Sequence, residues 1–421
     1  MRRAARSAVL WSAFVAAHAL VGWLGWVLPG QPMGDVVLVY QPWSAATLGG
    51  GAVVGVTEAW VYPQLALPPM LLAQLLALPF TAALGPLDGY LIGWALLVTV
   101  CDVLGFAALI RGGGTRRRRV AAWFWITALV LLGPIAMYRI DAITVPVAVA
   151  GGLWLARRPV VGTALLTAGA WIKIWPGAIV LAAVAAGRRA GRVLLTAASA
   201  TLAIVLTLLL MGAGNRLLGF LGMQTGRGLQ IEAVAATPFL WLAAVGGARI
   251  EYSRTILTFQ IHAPGADVVS AALTPVMVVV VAGILILGLL RARAAAPWQR
   301  LLPPLALALV VALIVTNKVG SPQFQTWLIA PVILWIVFDR VRAGTATALV
   351  LALCALTFAV YPLTYDRLLG AELLPVLVLT ARNLLLVALL VLAVRAVALA
   401  PPASAGASRP HPAAQRRTVA H

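Results

Sequence analysis

Apolar runs long enough to cross a bilayer follow one another through almost the whole chain, separated by short arginine clusters. Backbone inside lipid must satisfy its own amides, so such runs are either helices or strands of a closed barrel. They show no period-two alternation, which leaves helices. Composition agrees. Of 421 residues, 62% are hydrophobic and 10% charged, where a soluble domain carries about 25% charged residues. The fold class is therefore all-α, a polytopic integral membrane protein whose residues 1–400 form a single transmembrane domain. The Pro/Ala/Ser-rich segment 401–421, which holds His411 and His421, reads as a disordered cytoplasmic tail.

The net charge of +20 does not point to nucleic acid. The arginines sit between apolar runs, as they do in cytoplasmic loops. Cys101 and Cys354 each lie inside an apolar run, and neither is placed for a disulfide or a metal cluster. Arg2 and Arg3 resemble a signal n-region, but the apolar stretch runs on to Leu28 and reads as a retained first span.

Arg2, Arg3 and Arg6 put the N-terminus in the cytoplasm, and span 1, about 7–28, exits outward. Arg111 and Arg116 to Arg119 must return to the cytoplasm. Of the two runs between, 88–110 is taken as span 2. The run 67–84, with Pro68, Pro69 and Pro79, is taken as an outer interfacial or re-entrant helix. Arg157 with Arg158, and Arg188 with Arg189 and Arg192, are both cytoplasmic, so the chain between them is a hairpin of two half-length helices tipped by Lys173. Continuing to about 397 gives about twelve crossings with both termini inside. The outer loops, about 29–87 and 212–267, form the active-site face. Nine of the 11 acids then fall at or near the outer side, as do Arg139, Arg216, Arg227, Arg249, Arg254, Arg367, Arg382 and both lysines.

Several polar groups stand out in these surroundings. Asp35 follows span 1, with Tyr40 and Trp43 beyond it, at the depth where a lipid-linked substrate presents its head group. A carboxylate there suits a general base for an acceptor hydroxyl; a helix N-cap or an interfacial charge is the plainer reading. Glu58 is a second acid in the same loop. Arg139 and Asp141 are a charge pair between two spans, either a structural turn or a phosphate grip with an orienting acid. Lys173, at the tip of a broken hairpin, can bind phosphate or be satisfied by Asp141 or Asp35. The loop Gln224–Glu232 brings Arg227 between two glycines, and glycines allow close backbone approach to a ligand. Asn317, Lys318 and Gln323 crowd a short turn between spans. His18 reads as a packing or hydrogen-bonded residue, and His262 as a possible substrate contact. No Gly-rich nucleotide loop or zinc spacing is present.

Taken in order, Gly34-Asp35 with Tyr40, Tyr62-Pro63 with Pro68-Pro69, Arg139 with Asp141, Lys173 with Trp175-Pro176, Arg227 through Glu232, and Lys318 with Ser321-Pro322-Gln323 resemble the GT-C-fold polyprenol-phosphate-mannose-dependent alpha-(1→2)-mannosyltransferases of actinobacteria. The resemblance spans about residues 7–395. It implies an inverting glycosyltransferase on the outer face of the plasma membrane, moving mannose from a polyprenyl-phosphate donor to a lipid-linked or cell-envelope glycan acceptor. The family's outer-loop acid maps to Asp35. Metal-dependent GT-C relatives carry two acids one residue apart, whereas here the stretch is Asp35-Val36-Val37, so the resemblance implies neither metal nor cofactor. Arg139, Lys173, Arg227, Lys318 and Gln323 are the candidates for the donor phosphate and substrate. Tyr40, Glu58, Asp141, Glu232 and His262 are candidates for support. Broken helices and buried charges also suit a transporter or flippase for a lipid-linked glycan, although the chain shows no internal repeat and its acids gather on one face.

Overall fold

The computed structural model describes residues 2–111, 114–187, 189–253 and 258–401. The tail beyond Pro401, Arg188 and Arg254 lie outside the described residues, as do the side chains of Arg2, Arg3, Arg6 and Gln224. The chain is mostly helical. In order, the elements are α1 (Arg2–Val27), α2 (Gln41–Leu48), α3 (Leu67–Ile110), α4 (Arg116–Leu132), α5 (Ile140–Leu155), α6 (Pro159–Ile172), α7 (Pro176–Ala185), α8 (Ala190–Leu210), α9 (Gly219–Thr225) and α10 (Thr237–Ala244). Strands β1 (Arg249–Ser253) and β2 (Thr258–His262) follow, then α11 (Ala266–Arg293), α12 (Trp298–Val315), α13 (Ile329–Phe358), α14 (Tyr365–Leu369) and α15 (Leu373–Ala398). Among the described residues, eight helical stretches are long and apolar enough to cross a membrane. Four shorter apolar helices accompany them: Ile140–Leu155, Pro159–Ile172, Pro176–Ala185 and Val234–Ala244.

Two of the eight stretches fold back on themselves. Gly85 leaves the helix at φ +84, and past it Gly89 and Gly93 lie against Thr81, Ala77 and Ala73 of the first arm. The run 67–84 is thus the first arm of a hairpin with 86–110. The second stretch, Pro322–Leu363, breaks at Asp339 (φ −145, ψ 70). A straight helix of that length would separate its ends by about 60 Å, yet Gln323 and Tyr361 line the same cavity.

The packing shows where lipid has to be. In α12 every residue from Leu301 to Ala312 is buried, so this helix is the centre of the bundle. By contrast α8 buries only Val193 and Leu208, and α11 only Ala266, Ser270, Ile284 and Gly288. Apolar helices with bare apolar faces belong in hydrocarbon, and the protein is membrane-embedded. The arginine-bearing helix ends gather on one side. Arg117 Nη1 donates to Phe338 O at 3.0 Å, and Gly187 touches Ala292. Between α1 and α3, His18 Nε2 meets Asp102 Oδ2 at 3.0 Å inside the bundle, while its Nδ1 bonds Phe14 O.

One departure from the all-α expectation lies in 212–267. β1 and β2 pair antiparallel, with Arg249 opposite His262 and Tyr252 opposite Phe259. Their alternation is short, and flanking apolar helices mask it.

Candidate functional site

At the helix ends away from the arginine clusters lies a cavity of about 560 Å³. Asp35, Arg139, Lys173, Arg227, Glu232, Lys318 and Gln323 all line it. They come from five separate stretches of chain, and packing rather than sequence proximity brings them together.

Asp35 stands at the start of a π-helical turn, Val36–Tyr40, that swings the chain from α1 into α2. Its Oδ2 lies 3.2 Å from Arg139 Nε, with the carboxylate side chain 36% exposed towards the cavity. Arg139 is held through both of its terminal nitrogens. Nη1 donates to Pro32 O (2.7 Å) and Tyr138 O (2.8 Å), and Nη2 donates to the Tyr361 hydroxyl (3.3 Å). Tyr361 in turn donates towards Gly30 O and Gln31 O. Burial works against the guanidinium charge, but Asp35 and the facing tyrosines outweigh it, and the Arg139 pKa is raised. Arg139 is therefore a fixed cation that aims Asp35. Tyr40 lies beneath, fully buried, and accepts the Ile140 amide at 3.2 Å, which ties the turn after Asp35 to the start of α5.

Arg139 and Asp141, expected to form one pair, serve different partners. Arg139 is extended (φ −138, ψ 150) ahead of α5, so the two side chains part. Asp141, fully buried behind the cavity wall, lies 3.6 Å from Lys173 Nζ and accepts Trp327 Nε1 at 2.6 Å. Lys173 ends α6, and three residues later Pro176 starts α7. Its ammonium also sits 4.5 Å from the centre of the Tyr62 ring. One side of Lys173 is neutralised, and the other faces the cavity.

The opposite part of the lining is made by two loops pressed together. Gln230 N donates to Lys318 O at 3.0 Å, and Ile231 N and Ile261 N tie the same loop to the hairpin. With its amide turned to satisfy both neighbours, Gln230 donates to Gly320 O and accepts from Arg227 Nη1 at 3.2 Å. Gly320 touches the backbone of Glu232 and Ala233 so closely that no side chain fits between. Glu232 and Arg382 form a buried ion pair behind this contact, each 2% exposed. Arg227 makes no ion pair among the described residues, and its buried Nε has no partner. Burial lowers the Arg227 pKa, and burial likewise lowers that of Lys318. Gln323 Oε1 accepts the Ser321 hydroxyl at 2.5 Å.

Of the five expected supporting residues only Glu232 lines the cavity; Tyr40 and Asp141 are buried outside its lining, and Glu58 and His262 also stand apart from it. Glu58 is exposed on the far side of the Val54 bridge. His262 points away on the edge of β2, 3.8 Å from Glu251. Tyr62, singled out in the sequence without a role at the site, lines it, as do four residues that sequence reasoning passed over: Phe259, Trp327, Tyr361 and Tyr365. Among the described residues no group of three or more His, Cys, Asp or Glu side chains is arranged to hold a metal ion. A second, apolar groove of about 410 Å³ runs between α6, α7, α8, α11 and α12, and it shares Pro63, Ile174, Phe220 and Leu313 with the cavity. A cavity that carries the charged side chains thus adjoins a groove of hydrocarbon side chains. Compared with known proteins, the chain matches no family model, no curated protein and no solved structure.

Proposed function

We propose that the protein is a membrane-embedded inverting glycosyltransferase. It transfers a sugar, mannose by the resemblance, from a polyprenyl-phosphate donor to a lipid-linked or cell-envelope glycan. The observation that carries this reading is the meeting of one partly exposed carboxylate with cations from remote stretches, in a cavity that leads into an apolar groove. A donor with a phosphate head and an isoprenoid tail has that same division of polarity.

In this mechanism Asp35 takes the proton of the acceptor hydroxyl as its oxygen attacks the anomeric carbon from the face opposite the phosphate. The bond from the anomeric carbon to the phosphate oxygen breaks, and its electron pair leaves with the polyprenyl phosphate. Negative charge grows on the departing phosphate, so fixed cations stabilise the transition state more than the ground state. Arg227 is the best placed, because among the described residues it makes no ion pair and its fork matches phosphate oxygens. Lys173 and Lys318 assist, with Gln323 as a neutral donor. Arg139 is a positioning residue for Asp35. On this reading the helices make about twelve crossings of GT-C type, with both termini cytoplasmic and the cavity on the outer face of the plasma membrane.

The test uses purified full-length protein in liposomes with polyprenyl-phosphate mannose and an octyl mannoside acceptor. A new, donor-dependent glycosidic bond of inverted configuration is expected. Movement of a labelled lipid-linked glycan across the bilayer with no bond formed would replace this reading with a flippase.

A further inference from the structure

One wall of the cavity remains without a role once donor head and tail are accounted for. Tyr252 and Phe259 face each other across the hairpin with ring centres 5.0 Å apart. Phe259 continues to Tyr365 at 6.1 Å, and Tyr365 to Tyr361 at 5.0 Å. Tyr361 carries the hydroxyl that accepts from Arg139, the partner of Asp35. An unbroken aromatic row therefore leads from the outer hairpin to the general base. All four residues line the cavity, and none belongs to the apolar groove.

A cross-strand aromatic pair stabilises a hairpin, which accounts for Tyr252 with Phe259. It does not account for the row's continuation through a separate stretch of chain to the Asp35 pair. Nor does the hydrophobic core require Tyr252, which is 48% exposed. The row contains no cation, so it is not a phosphate site. Thr258 also lines the cavity and offers a hydroxyl group. Aromatic faces beside neutral hydrogen-bonding groups match a sugar ring, which has an apolar C–H face and a rim of hydroxyls.

Resting on the glycosyltransferase reading, we infer that Tyr252, Phe259 and Tyr365 form an acceptor subsite for an oligosaccharide. The reacting sugar lies at Asp35 and the preceding sugars lie along the aromatic row. The acceptor is thus a chain of at least two sugar residues, and the enzyme extends a glycan rather than starting one.

The experiment compares octyl α-mannoside with octyl α-mannotrioside as acceptors for the full-length protein in nanodiscs, using polyprenyl-phosphate mannose as donor. The readout is the ratio of kcat/KM for the trioside to that for the monoside. Wild type is expected to favour the trioside by about tenfold or more, the effect of one to two stacked rings. Tyr252→Ala and Phe259→Ala should each bring the ratio close to one, and Tyr252→Phe should restore it. A wild type without preference, or variants that keep it, overturns the inference while leaving the glycosyltransferase reading standing. Should wild type transfer to neither acceptor, that reading fails, and quenching of intrinsic fluorescence by the trioside decides the subsite. Binding lost in Tyr252→Ala upholds the subsite, and absence of binding by wild type overturns it.

Discussion

Asp35→Asn separates chemistry from folding at this site. The Asp35–Arg139 pair is more than a third exposed on the carboxylate side, so its contribution to stability is about 1 kcal/mol or less. Asparagine has the same shape and gives up only the ion-pair contact with Arg139 Nε. Arg139 also keeps Pro32 O, Tyr138 O and the Tyr361 hydroxyl. The unfolding midpoint of the detergent-solubilised protein should therefore move by no more than about 3 °C. An amide cannot take the acceptor proton, however, and general-base removal lowers rates by about 10²–10⁴-fold, or about 3–5 kcal/mol of barrier. The assay is initial-rate transfer in liposomes across donor concentration, with midpoints measured on the same preparations. The loss is expected in kcat. Turnover within about threefold of wild type in a folded Asp35→Asn protein would remove Asp35 from the chemistry and leave it as a surface partner of Arg139.

Further outcomes follow from the same geometry. Burial lowers the Lys318 pKa below lysine's ordinary 10.5, so its charge is lost at a lower pH than that of an exposed lysine. Donor KM should therefore rise as pH climbs through this depressed range, whereas Lys318→Arg should stay flat; an identical alkaline limb in both would refute the role. Gly320→Ala drives a methyl group into the backbone of Glu232 and Ala233 and should cost about 1–3 kcal/mol, read as a lower midpoint together with weaker donor binding. Arg382→Leu leaves Glu232 buried without its cation and should destabilise by about 3–5 kcal/mol, with Glu232→Gln in the same chain recovering part of the loss in a thermal unfolding comparison.

Much of the site is legible in the chain because polar groups are costly near lipid. Asp35, Arg139, Lys173 and Lys318 each interrupt long apolar stretches, and each lines the cavity. Partner choice is not legible. Arg139 and Asp141 read as a pair at a separation of two, yet the extended backbone at Arg139 sends one to Asp35 and the other to Lys173. The partnership of Glu232 with Arg382 joins residues 150 apart and leaves no local trace. Glu58 and His262 show the converse. An acid or histidine in the correct loop carries no information on which way the loop faces. The hairpin, and with it the aromatic row, escapes notice because five-residue strands are short for a periodicity signal. The arginine at the start of α4, in contrast, does meet the break in α13 near Asp339 and Arg340, where Arg117 donates to Phe338 O.

Reversal at Gly85 also bears on how the chain enters the bilayer. The turn Leu84-Gly85-Pro86 contains no charged or polar side chain and spans no loop, and Gly89 and Gly93 close directly over the backbone of Ala73, Ala77 and Thr81. The first arm has no hydrophilic connector to carry across ahead of its partner. The two arms are thus suited to leave the insertion machinery as a single closed unit, and a nascent chain halted at residue 85 would leave the small-residue face of Ala73, Ala77 and Thr81 uncovered.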